Sequence, residues 1–334
     1  MAFLLYNSGY MNKGGYCMHI MIIGAGSLGL LFAAKLAPNC SQLTIVTRSE
    51  GQARELEEHG IQLVGTGSLE TKLAKSIVFQ SYSEEISGNV AAVAREVDYI
   101  FLMVKQTAIS PELITYIQNN MTCHTHLICF QNGVGHEVKL GQAIGWDKLL
   151  FAITTEGAKR IGPTSVKHTG HGITYVGELE SNNLAVTNHQ HIFIVQLLEL
   201  AGFRAELSKN MEVRIWTKLV INAVINPLTA ILRVQNGELL RSVWTLSIMQ
   251  DLYQEVLRLA AAKGIELPVD LWDTVQAVCE ATKTNHSSML QDIEASRHTE
   301  IDYLNGSLVK MGNEMGLDLP ANSMVYRMIK AIEN

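Results

Sequence analysis

A short apolar run that leads directly into a glycine-rich turn is the feature that most constrains how this chain can fold. The run covers residues 18–23 (MHIMII), and it is followed by GAGSLG at residues 24–29 and by the helix-like sequence LLFAAKLA. A continuous apolar run of this length is typical of a parallel strand that is buried on both faces. The order of strand, glycine turn and helix predicts the first βα unit of an α/β sheet.

The spacing of the three glycines in this turn indicates a phosphate-binding site. Gly24 allows a tight turn, Gly26 lets a pyrophosphate approach the backbone, and Gly29 lets the helix pack closely on the strand. The N-terminus of the helix then presents unpaired N–H groups and the positive end of its dipole to the phosphates. The turn therefore predicts that this half of the chain binds a dinucleotide.

The residue that follows the second predicted strand indicates which dinucleotide is bound. This strand covers residues 43–47 (LTIVT) and ends at Arg48, which is 19 residues after Gly29. An acidic residue about 20 residues past the glycines would accept a hydrogen bond from the adenosine ribose of NAD(H). A guanidinium instead favours the ribose phosphate of NADP(H). Glu50 lies two residues further on and could still compete for the ribose.

Further apolar runs extend the predicted α/β domain to about residue 207. They lie at residues 98–104, 125–130, 149–155 and 172–177, with turns predicted at residues 162–163 and 168–170. Ligands of such sheets collect at the carboxyl ends of the strands. Lys105 follows one of these runs and either reaches a phosphate or is an ordinary solvated lysine. Asn132 follows another, in QNGVG, and either forms a turn with Gly133 or bonds a ribose or the substrate.

A thin polar stripe marks the helical half of the chain, which begins at about residue 208. Lys218, Asn222 and Asn226 recur every four residues, and every residue between them is apolar. Such a stripe lies along one face of a helix that is otherwise buried. Buried amides and ammonium groups need partners, so the stripe faces either a ligand site or a structural hydrogen-bond network. Pro227 is expected to end or kink this helix.

A second polar cluster lies between Asn285 and Glu300. Ser287 or Ser288 is a suitable N-cap for the helix that begins near MLQD. Glu300 comes 12 residues after Ser288, which is about 18 Å on a straight helix. The two side chains therefore cannot contact one small substrate unless the chain bends between them or each serves a different end of the site.

Composition excludes several classes of protein. Lys and Arg number 26 against 32 for Asp and Glu, so a nucleic-acid-binding protein, which needs a dense positive face, is not expected. The uninterrupted apolar runs are far shorter than the roughly 20 residues of a membrane span.

The five scattered cysteines contain no CxxC pair and fit reduced thiols of a cytoplasmic protein. The histidine pairs 124/126, 168/171 and 189/191 lack a third ligand, so no metal site is expected. Residues 1–17 make a poor signal peptide and are expected to form a flexible leader.

Taken together, the motifs resemble the ketopantoate reductase (2-dehydropantoate 2-reductase) family over nearly the whole chain from Met18. The resemblance rests on GAGSLG, QNGVG, KLVINAVINPLTAI, NGEL and NHSSMLQDIEASRHTEIDYLNG. It implies a Rossmann-type α/β domain at residues 18–207 and an all-α substrate and dimerisation domain at residues 208–334, like the C-terminal domain of 6-phosphogluconate dehydrogenase. It also implies that NADPH reduces ketopantoate, a 2-keto acid, to (R)-pantoate on the route to pantothenate and coenzyme A. A homodimer would be consistent with the buried helix faces of the second half.

The resemblance also assigns roles to single residues. Lys218 matches the family's proton donor. Positions that match substrate-binding residues are Asn132, Asn222, Asn226, Asn236, Asn285 and Ser288. Positions that match cofactor-contacting residues are Gly24, Ala25, Gly26, Ser27, Leu28, Gly29, Arg48, Lys105, Asn132, Ala158 and Glu300. Glu300 could bond a ribose hydroxyl or orient the ammonium of Lys218, and both alternatives stay open.

The chain departs from the family pattern at two places. Many members carry a glutamine three residues after the strand-end lysine, where this chain has Ala108, with Gln106 instead. Arg233 replaces a polar, uncharged residue just before NGEL.

Two other functions compete with the one that the resemblance implies. One is the reduction of a related 2-keto acid with a different acyl tail. The other is a non-catalytic NADP-binding redox sensor, against which the proton donor Lys218 argues.

Overall fold

A computed structural model describes residues 11–12, 15–65, 69–72, 77–81, 96–179 and 189–333 of the protein. The chain divides into two compact units. The first contains the described residues up to Gln131 together with Val138–Met211. The second contains Asn132–Glu137 and the residues from Glu212 onward.

The first unit consists of strands with helices between them. Its strands are β1 (Met11–Asn12), β2 (Gly15–Ile23), β3 (Cys40–Thr47), β4 (Ile61–Val64), β5 (Leu69–Lys72), β6 (Ile77–Ser81), β7 (Tyr99–Leu102), β8 (His126–Cys129), β9 (Leu149–Thr154), β10 (Gly157–Arg160), β11 (Ser165–Gly170), β12 (Thr174–Gly177) and β13 (Ala205–Leu207). Its helices are α1 (Ser27–Leu36), α2 (Glu50–His59), α3 (Pro111–Asn119), α4 (His136–Ile144), which begins in the short stretch assigned to the second unit, and α5 (His189–Leu200).

The larger sheet has the strand order β13-β12-β9-β8-β7-β2-β3-β6, and β1 pairs with β2 at its beginning. From β6 to β9 every neighbouring pair is parallel, whereas β12 runs antiparallel to β9. The predicted α/β fold is therefore confirmed. Strand β2 starts at Gly15 rather than at Met18, so residues 15–17 of the expected leader belong to the sheet. Residues 1–10, 13 and 14 lie outside the described residues.

A second sheet, with the order β10-β11-β4-β5, has no counterpart in the sequence prediction. The turn expected at residues 168–170 is wrong, because these residues form the end of β11 and pair with β10. The ladder places His168 opposite Ala158 and Gly170 opposite Gly157. A side chain at Gly157 would come within 2.9 Å of the Gly170 backbone nitrogen, so the glycine allows a close approach of the two strands. The sequence SVKHTG is polar and has no apolar run that would mark it as a strand.

Helix α1 packs against strands of both sheets. It is therefore apolar around nearly its whole circumference, with residues 29–34 all buried. Phe32 stacks on Phe203 at 4.3 Å between ring centroids and meets Phe101 and Phe130 edge-on. This aromatic core holds the beginning of α1 at the end of β2.

The second unit is helical throughout its described residues. Its elements are α6 (Met211–Leu232), α7 (Val243–Ala262), α8 (Leu271–Ala281), α9 (Ser288–Glu294), α10 (Asn305–Glu314) and α11 (Pro320–Glu333), with 3-10 turns at Asn236–Leu240 and Ile301–Tyr303. The predicted change from a sheet to helices is confirmed. Helix α6 is long and apolar enough to cross a membrane by length and composition alone, although 67% of its most apolar window is buried inside the protein. A core helix passes the same test, so this finding is weak evidence for a membrane span.

Helix α6 continues for five residues beyond Pro227 instead of ending there. Proline has no backbone N–H, so the carbonyl of Ala223, four residues earlier, loses its usual helical donor. The side chain of Asn305 replaces that donor, because its Nδ2 lies 3.0 Å from the Ala223 oxygen. Asn305 is completely buried, so water could not take this role.

Asn305 belongs to a buried polar network that joins four helices. Its Nδ2 also donates to Oδ1 of Asn322 at 2.9 Å, and Asn322 Nδ2 donates to Oε2 of Glu255 at 2.8 Å. The Glu255 carboxylate further accepts from the backbone N–H groups of Ala321 and Asn322 at the first turn of α11. The network thus satisfies a buried carboxylate and a helix N-terminus while it connects α6, α7, α10 and α11.

Arg233, one of the two departures from the family pattern, lies at the C-terminal cap of α6. It follows the last residue of α6 with φ 55°, in the left-handed region that favours glycine or asparagine. The N–H of Val234 bonds the carbonyl of Thr229 at 3.1 Å, which completes a Schellman cap. An arginine here costs about 1 kcal/mol in backbone conformation relative to glycine.

We expect Asn305→Ala to lower the free energy of unfolding by about 2–4 kcal/mol, because it leaves buried polar groups on α6 and α11 without a partner. Urea denaturation followed by circular dichroism measures the change. Asn313→Ala removes an exposed asparagine from the same helix and is the matched control, with an expected change below about 0.5 kcal/mol.

A double-mutant cycle with Pro227→Ala tests the specific contact. Alanine restores an N–H that can bond the Ala223 carbonyl, so Asn305→Ala should cost about 1 kcal/mol less in the Pro227→Ala background. Strictly additive effects would show that Asn305 does not compensate for the proline.

Candidate active site

The glycine turn has the geometry that its sequence predicts. Gly24 has φ 113°, and a side chain on it would come within 2.9 Å of the Met103 backbone. A side chain on Gly29 would overlap the carbonyl oxygen of Gly24. By contrast, a Cβ on Gly26 would meet no atom within 4 Å, so the backbone there faces open space. Two glycines are required by close packing, and the third leaves room for a ligand.

The N-terminus of α1 is available to an anion. Gly26 is the N-cap, and no side chain caps the first turn. The N–H groups of residues 27–29 belong to this turn and have no partner within the helix. Ser27 is held by its side chain, because Oγ accepts a hydrogen bond of 3.1 Å from the Arg160 N–H in β10. The residues present therefore fit the pyrophosphate of a dinucleotide, with Ala25 and Leu28 as the packing residues of the turn.

Arg48 is exposed immediately after β3 and has no ion-pair partner among the described residues. Glu50, the alternative ribose-binding residue, pairs with Arg54 at 3.0 Å one turn along α2. The acidic group that would favour NAD(H) is thus engaged, and the guanidinium that would favour NADP(H) is exposed at the strand end. This arrangement supports the cofactor prediction.

Gln131, which was not among the predicted site residues, holds the segment before Lys105 in place. Gln131 is 5% exposed, and its Nε2 donates to the carbonyls of Leu102 and Val104 at 2.8 and 3.0 Å. These bonds hold the backbone that leads to the exposed Lys105. The signal that could have identified Gln131 is a glutamine directly after a buried strand, where its amide has to find partners.

The other predicted cofactor contacts of the first unit lie on different elements. Gln106 is 2% exposed, whereas Ala108, which stands where many members carry a glutamine, is exposed. Ala158 lies in β10, half-buried against the core of the unit. Their roles in cofactor binding stay predictions.

In the second unit, Lys218 is the side chain whose chemistry is most altered. Burial lowers the pKa of Lys218 to about 8, because the charged ammonium loses hydration, and the negative charge of Glu300 partly opposes this change. A lysine with this pKa is protonated at neutral pH yet releases its proton far more readily than an ordinary lysine. Both properties suit a proton donor.

Asn132 and Glu300 lie together although 168 residues separate them. Nδ2 of Asn132 donates to Oε2 of Glu300 at 3.3 Å. The Val134 N–H also bonds the Tyr303 carbonyl, so the QNGVG segment is anchored beside the Ile301–Tyr303 turn. The negative charge of Glu300 also raises the pKa of Lys218, and both alternatives for the role of Glu300 stay predictions.

Asn222 and Asn226 lie on the same helix as Lys218, at the positions of the predicted polar stripe. Asn222 is half-buried and Asn226 is 8% exposed. Their side chains make no hydrogen bond to any described residue of the protein. Neither side chain therefore belongs to an internal hydrogen-bond network of the described residues, and both stay candidates for binding a ligand.

Asn236 is anchored by two hydrogen bonds, and its side-chain oxygen is buried without a partner among the described residues. Its backbone N–H bonds the Asn285 carbonyl at 3.0 Å, and its Nδ2 donates to Oγ1 of Thr282 at 2.8 Å. Its Oδ1 is buried and accepts no hydrogen bond from the described residues. This oxygen is suited to accept a hydrogen bond from a substrate hydroxyl. The side chain of Asn285 itself is exposed.

Ser287, rather than Ser288, is the N-cap of α9, and the chain bends after this helix. Oγ of Ser287 accepts from the Leu290 N–H at 3.1 Å, so Ser287 is the N-cap of α9. Ser288 is the exposed first residue of that helix and is not needed as a cap. Helix α9 ends at Glu294, and Ser296 adopts φ 51°, so residues 288–300 do not form one straight helix. Because the chain bends between Ser288 and Glu300, their helical distance no longer prevents both from contacting one small substrate.

Comparison with known proteins identifies the family. The model described as ketopantoate reductase PanE/ApbA matches residues 20–181, and the model of its C-terminal domain matches residues 210–333. The 2-dehydropantoate 2-reductase of Archaeoglobus fulgidus is 32% identical over 94% of this chain and 98% of its own length. That of Bacillus subtilis (strain 168) is 32% identical over 95% of this chain and 98% of its own.

Solved structures agree with this result. A probable 2-dehydropantoate 2-reductase from Bacillus subtilis has a TM-score of 0.76 and 30% identity, with 94% of this chain and 100% of that chain covered. D-mandelate dehydrogenase, solved with NADH and anilino(oxo)acetate, has a TM-score of 0.82 and 26% identity, with 95% and 98% covered. Both family models and the near-complete coverage of the relatives lead to one conclusion: the chain belongs to the ketopantoate reductase family.

Proposed function

We propose that the protein reduces 2-dehydropantoate (ketopantoate) to (R)-pantoate with NADPH, a step towards pantothenate and coenzyme A. The observation that carries the proposal is the lowered pKa of the buried Lys218, on which the charge of Glu300 acts. Asn132 bonds that same carboxylate. A protein that only sensed NADP would have no need of a buried, readily released proton. The curated relatives named 2-dehydropantoate 2-reductase support the same reaction.

Lys218 supplies the proton of the reaction. NADPH, when bound, supplies a hydride to the keto carbon of the substrate. Negative charge then grows on the keto oxygen, where the Lys218 ammonium stabilises it and transfers a proton to give the hydroxyl. The neutral amine regains its proton from solvent after the product leaves. Glu300 holds the ammonium in place and keeps enough of its positive charge for this role.

The asparagines and Ser288 bind the rest of the substrate in this proposal. Asn222 and Asn226 hold the keto oxygen and the hydroxyl, so that binding supplies orientation. Oδ1 of Asn236 accepts from the hydroxyl at the far end of ketopantoate, and Ser288 bonds the carboxylate. In the first unit, the glycine turn binds the pyrophosphate, while Arg48 and Lys105 bind the ribose phosphate.

A second candidate is an NADH-dependent reductase of an aryl 2-keto acid. The similarity to D-mandelate dehydrogenase, which was solved with NADH, favours it. The exposed Arg48 and the pairing of Glu50 with Arg54 argue for NADPH instead.

The oxidation of NADPH, followed by absorbance with purified protein, distinguishes these functions. We expect rapid turnover with 2-dehydropantoate, and slow turnover with pyruvate, 2-ketoisovalerate or phenylglyoxylate and with NADH. Lys218→Ala should lower kcat by at least about 100-fold and leave NADPH binding nearly unchanged. NADPH binding without turnover of any keto acid would indicate a sensor, and turnover of phenylglyoxylate with NADH would indicate the second candidate.

The pH dependence tests Lys218 and Glu300 together. Reduction needs the protonated amine, so kcat/KM should be constant below a pH of about 8 and fall tenfold per pH unit above it. Glu300→Gln removes the charge that raises the Lys218 pKa, so the break should move to lower pH. Asp302→Asn, a carboxylate change two residues away, is the control and should not move it. An unmoved break in Glu300→Gln, with a higher KM for NADPH, would assign Glu300 to the ribose instead.

Arg48→Ala should weaken NADPH binding by roughly 10- to 100-fold while it changes NADH binding little, because only NADPH carries the ribose phosphate. Quenching of protein fluorescence by each nucleotide gives the two dissociation constants. Arg204→Ala, which removes another exposed arginine of the first unit, is the matched control. An equal loss for both nucleotides would contradict the phosphate-binding role of Arg48.

A further inference from the structure

We propose that Glu156, His168 and His171 form a binding site for a divalent transition-metal ion, of which Zn²⁺ is the best match. One ligand atom from each residue lies within 4.8 Å of the others. The three residues belong to the first unit, and none of them has a role in the proposed reaction. The sequence alone predicts no metal site here, because the histidine pair 168/171 lacks a third ligand nearby in the chain. The fold supplies one from 12 residues upstream of His168.

The strand pairing explains why these residues meet. Glu156 lies between β9 and β10, and its N–H bonds Oγ1 of Thr154 at 3.2 Å. His168 lies in β11, opposite Ala158 of β10, and His171 follows the end of β11. The two imidazole rings contact each other edge-on, with 4.2 Å between their centroids. The hairpin therefore brings all three side chains to one side of the β10–β11 pair.

The donor set suits zinc in both type and spacing. Two imidazole nitrogens and a carboxylate oxygen are common ligands of Zn²⁺ in sites that retain one position for water. Tetrahedral bonds of about 2.0–2.2 Å place ligand atoms roughly 3.3 Å apart. Nε2 of His168 and Oε2 of Glu156 are 2.5 Å apart, so they need to separate slightly. His171 is exposed and can move closer by the ångström or so that coordination requires.

The charge of the cluster also favours a cation. The Glu156 side chain is only 2% exposed, and its ion-pair partner among the described residues is His168, at 10% exposure. A buried carboxylate is costly unless a positive charge compensates it. A divalent ion would bind the carboxylate and both neutral imidazoles at once.

A bound ion would clamp β11 and the segment after it to the connection between β9 and β10. The same hairpin carries Ala158, and the Arg160 N–H at the end of β10 bonds Oγ of Ser27 in the glycine turn. The ion would therefore stabilise the part of the first unit that supports this turn. None of the three ligands is a residue to which we assign a role in the reaction, so turnover should not require the metal.

Calorimetric titration of the metal-stripped, full-length protein with Zn²⁺ tests the proposal. We expect one saturable site per chain and an increase of the melting temperature at saturation, because the ion binds the folded state. Titration with Co²⁺ should give the visible bands of a four-coordinate ion bound by nitrogen and oxygen. Cys123 is an exposed free thiol, and coordination by it would add a thiolate-to-metal band in the near ultraviolet.

His171→Ala is the decisive variant, because this side chain is exposed and its loss should not affect folding. We expect it to weaken Zn²⁺ binding at least tenfold, and His168→Gln and Glu156→Gln to do the same. His286→Ala is the matched control, since His286 also pairs with a glutamate, Glu294 at 3.1 Å, but has no third ligand. Zn²⁺ binding that is unchanged in His171→Ala, or no saturable binding at millimolar Zn²⁺, would overturn the proposal.

Discussion

The interaction on which the candidate site depends is the one between the buried ammonium of Lys218 and the carboxylate of Glu300. Burial lowers the pKa of Lys218, and the opposing charge of Glu300 raises it, which leaves it at about 8. An exposed lysine would hold its proton more firmly. The Asn132 amide bonds the Glu300 carboxylate at 3.3 Å and so keeps it in place. The acid strength of Lys218 thus depends both on its burial and on the position of Glu300.

This balance requires a long buried helix that places Lys218, Asn222 and Asn226 on one face. Pro227 would be expected to interrupt that helix, and the structure offsets the missing hydrogen bond with Asn305. The network from Asn305 through Asn322 to Glu255 then joins α6 to three other helices. Residues that touch no substrate therefore hold the catalytic face in position, as expected for a precisely arranged site.

Sequence patterns predict the features that depend on residues close together in the chain, such as strands and helix faces. The apolar runs identify the strands of the larger sheet, and the repeat of Lys218, Asn222 and Asn226 identifies the polar stripe of α6. The second sheet, the contact of Asn132 with Glu300 and the cluster of Glu156 with His168 and His171 were not predictable in this way. Each joins residues that are distant in sequence, and β11 is too polar to be recognised as a strand. Only the tertiary fold brings these groups together.

Membership of the family defines the type of reaction more closely than it defines the substrate, because one fold can accept different keto acids. Under the proposed function, the buried Oδ1 of Asn236 offers a way to choose among them, because it accepts no hydrogen bond from the described residues. The terminal hydroxyl of ketopantoate would be its donor, and pyruvate, 2-ketoisovalerate and phenylglyoxylate lack such a hydroxyl. A buried acceptor left without a donor costs about 1–3 kcal/mol, or roughly 5- to 150-fold in kcat/KM. In this proposal Asn236 contributes to discrimination among 2-keto acids, whereas Lys218 would act on the keto group that all of them share.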